Sequence, residues 1–161
     1  METVGFLREN GIDAELDICG IRNLPEQHCG KGYIINHGFL NKNVPEQYAR
    51  YVSIVENSHL LLFPSKAECS ATVLCEAAAY GLPVWCFDTG GIPNYVVNGK
   101  NGYRLPLEST GKDFGEAILR SIRSGEMAEL HGGALAISRE KLNYTVWSRR
   151  FRDILESNLQ T

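Results

Sequence analysis

The densest set of groups able to do chemistry lies in Pro64-Ser-Lys-Ala-Glu-Cys-Ser-Ala-Thr72, where a short apolar run gives way to hydroxyls, a cation and a carboxylate. Ser70 and Thr72 sit at the start of a helix predicted over about Ala71–Tyr80. Free N–H groups and the helix dipole at such a start favour an anion such as a phosphate. Two carboxylates bracket it, Glu68 in the loop and Glu76 in the helix, eight positions apart. Thr72 and Glu76 are one helical turn apart and share a face, so both can address a ligand lying along the helix start. A carboxylate accepting from vicinal hydroxyls suits a ribose, and a second one beside the phosphate suits a sugar. Glu76 lies among Val73, Leu74, Cys75, Ala77, Ala78 and Ala79, where an unpaired charge is costly if buried. The spacing leaves a plainer alternative open, with Glu76 capping a neighbouring loop and Glu68 solvated.

The elements that must position these groups follow from periodicity and chain breakers. A short helix is predicted at 2–10, with Val4 and Leu7 on one face and Gly11 at its stop. Strands are predicted at Ala14–Cys19, Tyr33–Gly38, His59–Phe63, Pro83–Phe87 and Tyr103–Leu105. Further helices fall at about Pro45–Asn57, Asp113–Ser124, Met127–Ile137 and Thr145–Leu159, with a short one before Val97. Gly20–Gly32 reads as a loop; Cys29-Gly-Lys-Gly32 within it is a turn, because a phosphate loop would open a helix and this stretch precedes a strand. Pro-Glu-Gln at 25–27 and 45–47 marks two helix openings with proline at the same position. Short apolar strands alternating with helices mean a doubly wound, Rossmann-like α/β fold with a parallel sheet covered on both faces. Ligands of such sheets bind beyond the carboxyl ends of the strands, so the candidate loops are Gly38–Asn43, Pro64–Thr72 and Asp88–Ile92.

The composition excludes several classes. With 161 residues, 43% of them apolar, the chain is long enough for one domain with a sizeable core and is no disordered segment. Sixteen Lys and Arg against nineteen Asp and Glu leave a net charge of −3, so no nucleic-acid partner is expected. The five cysteines form no CxxC pair, which argues against a disulfide framework or zinc site and for a reducing, cytoplasmic compartment. No apolar run approaches the ~18 residues of a membrane span, no signal-peptide layout opens the chain, and no membrane contact is visible. His28, His37, His59 and His131 lack ligands at helical spacing, so no metal site is expected; His37 reads as a core or rim histidine. Arg149, Arg150 and Arg152 with Asp153 and Glu156 read as the solvated face of the last helix.

The stretch from Leu61 to Val84 resembles the signature of retaining GT-B glycosyltransferases, in particular glycosyltransferase family 4 (glycosyl transferases group 1). The residues that carry the resemblance are the strand ending in Pro64-Ser65, the Glu68/Glu76 pair, and the run Glu76-Ala-Ala-Ala-Tyr-Gly-Leu-Pro-Val84. Gly90-Gly91, Asn98-Gly-Lys-Asn-Gly102, Leu16-Asp-Ile-Cys-Gly20, His37-Gly38-Phe39 and Trp147 extend it over nearly the whole chain.

The resemblance implies the C-terminal, donor-binding half of a GT-B fold and a nucleotide diphosphate-sugar, such as a UDP-sugar, as substrate. It makes Glu68 the catalytic carboxylate, bonded to hydroxyls of the donor sugar, and gives Glu76 the ribose hydroxyls. Ser70, Ala71 and Thr72 would meet the sugar and diphosphate through their backbone, while Gly38, Phe39 and Leu40 would border the base. It implies no metal or other cofactor, and an N-terminal acceptor domain, in the same protein or a separate chain, as partner. Family members commonly show Glu-Gly-Phe-Gly where this chain has Glu68-Cys-Ser-Ala71, so two glycines and an aromatic are lost. The family's first strand, with a cationic loop for the diphosphate, has no counterpart here, and its absence from the middle of the sheet leaves a gap to be closed or filled. A nucleotide-binding module without catalysis, a subunit of a split enzyme and a sugar-nucleotide epimerase of the same fold are the alternatives. Trp147, Phe151, Ile154 and Leu155 are expected to pack partly on something outside this stretch.

Overall fold

The computed structural model describes residues 1–28 and 30–159; Cys29, in the turn expected at 29–32, lies outside the described residues. In chain order the elements are α1 (Glu2–Glu9), β1 (Leu16–Cys19), a 3-10 turn (Glu26–His28), β2 (Ile34–Gly38), α2 (Pro45–Glu56), β3 (Leu61–Phe63) and α3 (Thr72–Ala79). There follow β4 (Val84–Phe87), a second 3-10 turn (Ile92–Asn94), β5 (Gly102–Leu105), α4 (Gly111–Ser124), α5 (Met127–Glu140) and α6 (Tyr144–Leu159). Every expected strand and helix is present, most with ends shifted by a residue or two. Local contacts form two compact units: Met1–Ser58 with Glu108–Ser124, and His59–Leu107 with the chain from Gly125 onward.

In the first unit β1 and β2 run parallel, with Leu16 opposite Ile34 and Asp17 opposite Ile35. Val4 and Leu7 of α1 are buried, as are Phe114, Ile118 and Leu119 of α4. Gly115 permits the close approach of α1, because a β-carbon there would lie 2.5 Å from the Phe6 ring. The start of α4 is closed by a capping box in which the Asp113 carboxylate accepts from the Thr110 backbone N–H at 2.6 Å and from its hydroxyl at 2.7 Å. These bonds, the backbone one foremost, hold the Asp113 carboxyl below its ordinary value. The stabilisation they give is present above that ordinary value and is lost as pH falls through the lowered one.

In the second unit the parallel order is β3-β4-β5, with all four residues of β4 buried and Trp85 and Cys86 0% exposed. A strand enclosed on both faces needs apolar residues throughout, which Val84-Trp-Cys-Phe87 supplies. Leu61 N–H donates to the Pro83 carbonyl, so the alternation of a parallel ladder turns the N–H and C=O of Leu62 away from β4. Leu74, Ala77 and Ala78 of α3 are buried together with Leu130, Ala134 and Ile137 of α5. In α6 only Val146 is buried; Trp147, Phe151, Ile154 and Leu155 are 58, 47, 58 and 48% exposed, as an unpartnered apolar face would be.

The parallel strands expected from the alternation pair as two ladders: among the described residues no pairing joins β1 or β2 to β3, β4 or β5. In the doubly wound order 3-2-1-4-5-6 the first strand separates the second from the fourth. With the five strands here taken as second to sixth, that order gives one pair and one triplet, the two ladders observed. Phe114 is 2% exposed, and Phe114→Ala is expected to lower stability by about 3–5 kcal/mol in urea melts, a cost below about 1 kcal/mol contradicting this packing.

Candidate functional site

The site is built on the turn from β3 into α3. Pro64, which has no N–H, ends the ladder at Phe63, and the chain leaves the carboxyl end of the sheet as a loop. Glu68 is half-buried, and its Oε1 accepts from the backbone N–H of Cys69 at 3.0 Å and of Ser70 at 3.2 Å. The Glu68 carboxylate thus braces its own loop. Ser70 Oγ lies 3.1 Å from Tyr95 Oη, and Thr89 donates its hydroxyl to the Lys66 carbonyl at 3.3 Å.

The loop rests on Gly90 and Gly91. A β-carbon at Gly90 would sit 1.8 Å from the Glu68 carbonyl oxygen, and one at Gly91 would sit 2.1 Å from that of Cys69. Gly90 also has φ +50°, a conformation that costs glycine little. The Gly91 N–H donates to the Glu68 carbonyl at 3.2 Å, completing the seat. Two glycines after a strand therefore set the height of the carboxylate loop above the sheet.

The N-cap of α3 is Ala71, extended and buried, with no side-chain cap. A helix start capped by an alanine lacks the acceptor that Ser, Asp or Asn would supply, and its first-turn N–H groups suit an external anion. Thr72 is exposed at that start, and Glu76, half-buried, lies one turn further along. Glu68, Ser70, Ala71 and Thr72 are thus brought to one turn, with Glu76 on the same helix.

Lys66 Nζ lies 5.7 Å above the Phe87 ring, and Arg104 Nη1 is 3.3 Å from an Asp88 oxygen. Arg104 Nε is buried without a hydrogen-bond partner. The second unit thus carries one cation on the carboxylate loop and one on β5. Gly38, Phe39 and Leu40 belong to the first unit: Gly38 ends β2 with φ +69°, Phe39 is 67% exposed, and Leu40 is half-buried.

The family model of glycosyl transferases group 1 matches residues 2–131. The chain belongs to that family. Anabaena HepE in complex with UDP has the same fold, with a TM-score of 0.73 and 19% identity over 97% of this chain and 44% of that one. A pneumococcal O-GlcNAc transferase, GtfA, in complex with UDP and GlcNAc gives 0.74 at 19% identity over 96% of this chain and 32% of that one. Sucrose-phosphate synthase from Thermosynechococcus elongatus gives 0.75 at 16% identity over 99% and 42%. The group 1 domain described here therefore spans less than half the length of each of these structures. Comparison with curated proteins finds no match.

Cys19, Cys69, Cys75 and Cys86 of this family member are free thiols. Burial pushes the Cys75 thiol up, and the adjacent Glu76 charge adds to the effect. Burial in β4 pushes Cys86 to about 12, while Cys69 is exposed at the loop tip. Among the described residues no group of three or more His, Cys, Asp or Glu is placed to hold a metal ion, and no helix is long and apolar enough to cross a membrane.

Two measurements check the site. Gly90→Ala is expected to displace the Glu68–Ser70 loop, lowering the melting temperature by several degrees; an unchanged melt would mean that the loop is not seated on this glycine. In the native protein near pH 8 a thiol reagent should modify Cys69 within minutes and Cys86 only after unfolding, and equal rates would contradict the buried setting of β4.

Proposed function

We propose that this chain is the donor-binding part of a retaining GT-B glycosyltransferase of family 4, taking a nucleotide diphosphate-sugar, in the first instance a UDP-sugar, to an acceptor held by another domain or chain. The observation that carries the reading is the loop seated on Gly90-Gly91 that enters an uncapped helix start, with a carboxylate at each end of the motif. UDP in the structures of similar fold supports a nucleotide as the ligand.

The diphosphate lies at the α3 start, where Ala71, Thr72 and Val73 present backbone N–H groups and the dipole favours negative charge. Glu76 accepts from the ribose hydroxyls. Glu68 uses its remaining acceptor capacity, or gives up its bonds to the Cys69 and Ser70 N–H groups, to take the sugar hydroxyls. Lys66 adds positive charge from the same loop, and no metal ion has a part. In transfer with retention, the bond from the sugar C1 to the phosphate oxygen breaks while a bond to the acceptor oxygen forms on the same face. The acceptor proton passes to the leaving phosphate oxygen, and the nucleoside diphosphate departs.

Calorimetry of the 161-residue chain with UDP, GDP and ADP is expected to show weak binding of UDP, and Glu76→Ala is expected to weaken it about tenfold, the loss of a charge-assisted hydrogen bond. No heat with any of the three at millimolar concentration would overturn the assignment.

A further inference from the structure

Arg104 of the second unit leaves one donor orphaned and spends another on a single carboxylate. It stands in β5 opposite Cys86 of β4, and its backbone N–H donates to Asn98 Oδ1 at 2.7 Å, which fixes the strand at this residue. Its side chain is 21% exposed, its Nε is buried with no hydrogen-bond partner among the described residues, and its Nη1 lies 3.3 Å from Asp88 Oδ1. Asp88 directly follows β4 and continues its ladder, the Asp88 N–H donating to the Leu105 carbonyl at 2.7 Å. Side chains alternate along a strand, so Cys86 and Asp88 share a face, and Arg104 reaches diagonally, two positions further along, to meet the carboxylate. A buried donor without a partner costs stability, and an ion pair to a carboxylate that is 51% exposed returns little of it. Packing beside Cys86 asks only for an apolar stem. What the arginine adds is a grip on Asp88.

Asp88 opens the turn on which the carboxylate loop rests. Thr89 donates its hydroxyl to the Lys66 carbonyl at 3.3 Å, the Gly91 N–H donates to the Glu68 carbonyl at 3.2 Å, and the Ile92 N–H returns to the Thr89 carbonyl at 3.1 Å. The turn is therefore tied at its first residue to β5, by backbone and by Arg104, and beyond it to the loop. Two of its residues are glycines, whose backbone is the least restricted of any, so the turn has little stiffness of its own. It takes its orientation from the anchored end. The backbone bond to Leu105 sets the height of Asp88, and the bond from Arg104 holds its side chain and limits rotation about that point.

We propose that Arg104 is a positioning residue for the carboxylate loop: by holding Asp88 it fixes the Asp88–Gly91 turn on which the Glu68 and Cys69 carbonyls rest. The inference rests on the donor-binding reading for its ligand and goes beyond it by giving a role to a strand residue outside the loop. Loss of the guanidinium frees Asp88 and lets the seat rock. The Glu68 carboxylate and the α3 start then spend less time in the arrangement that takes an anion.

The test uses the 161-residue chain with Arg104→Met, which keeps an unbranched stem, Arg104→Lys, which can still reach the carboxylate, Asp88→Asn, and the double variant Arg104→Met/Asp88→Asn. Hydrogen exchange, read without ligand, follows the Cys69, Ser70 and Gly91 amides, with those of Trp85 and Cys86 in β4 as reference; melting and calorimetry with UDP accompany it. Arg104→Met and Asp88→Asn are each expected to speed the three loop amides about tenfold, to leave the reference amides unchanged and the melting temperature within about two degrees, and to weaken UDP about fivefold. The double variant is expected to be no worse than either single one, because both remove the same bond, and Arg104→Lys to recover most of the loss. Unaltered loop amides, equal acceleration of loop and reference amides, or additive effects in the double variant would overturn the inference. So would weaker UDP binding in Arg104→Met with tighter binding in Asp88→Asn, which would make Arg104 a contact of the ligand itself. Asp88 is half-exposed, so Asp88→Asn decides the matter even where Arg104→Met fails to fold. Because exchange needs no ligand, failure of the unsubstituted chain to bind UDP would overturn the donor reading alone.

Discussion

The carbonyl oxygens of Glu68 and Cys69 lie where the β-carbons of any side chains at positions 90 and 91 would have to be. Much of the site depends on that approach. Because Gly90 and Gly91 let the loop down onto the strand ends, the Glu68 carboxylate reaches the Cys69 and Ser70 N–H groups, and Ser70 comes within hydrogen-bond distance of Tyr95. The same descent delivers the chain to the α3 start with an alanine in the capping position. Had Ser, Asp or Asn stood there, its own oxygen would occupy the N–H groups that an anion needs. The family motif and the geometry thus meet at one loop, whose backbone is held by a close glycine contact.

Much of this was legible in the residues. The alternation of short apolar runs with helical stretches locates every strand and helix, because strand ends are marked by glycine and proline and the helix faces by apolar spacing. The Glu68/Glu76 spacing and the hydroxyls at Ser70 and Thr72 identify the loop. What the residues did not show is how groups distant in sequence combine. The hydrogen bond of Ser70 spans 25 positions to Tyr95, and His37 reaches back 20 positions to Asp17, so neither leaves a local pattern. The inward fold of Glu68 is local, yet it depends on the loop height that Gly90 and Gly91 set. Arg104 reads as a strand residue in Tyr103-Arg-Leu105, and only the pairing of β5 with β4 brings it to Asp88. Alternation reveals the number of strands, whereas pairing is a matter of which edges meet.

Apolar surface is buried unevenly along the chain. β4 is enclosed completely, while α2 has no buried residue and α6 has one. In α6 the exposed aromatics satisfy one another in part: Trp147 and Phe151 stack with ring centroids 5.2 Å apart, and Tyr144 meets Trp147 edge to face at 6.5 Å. Stacking of this kind contributes on the order of 1 kcal/mol, small beside what full burial of the same rings would give.

Among the described residues β3 pairs with β4 alone, and the N–H and C=O of Leu62 point away from β4. An apolar strand with an open side is a template on which a strand of another molecule can add, the usual route to aggregation. Here the template is blunted: it is three residues long, and Pro64 directly after it has no N–H with which to extend a ladder. The proline that turns the chain toward the carboxylate loop therefore has a second effect, as a gatekeeper that limits self-association at the same edge.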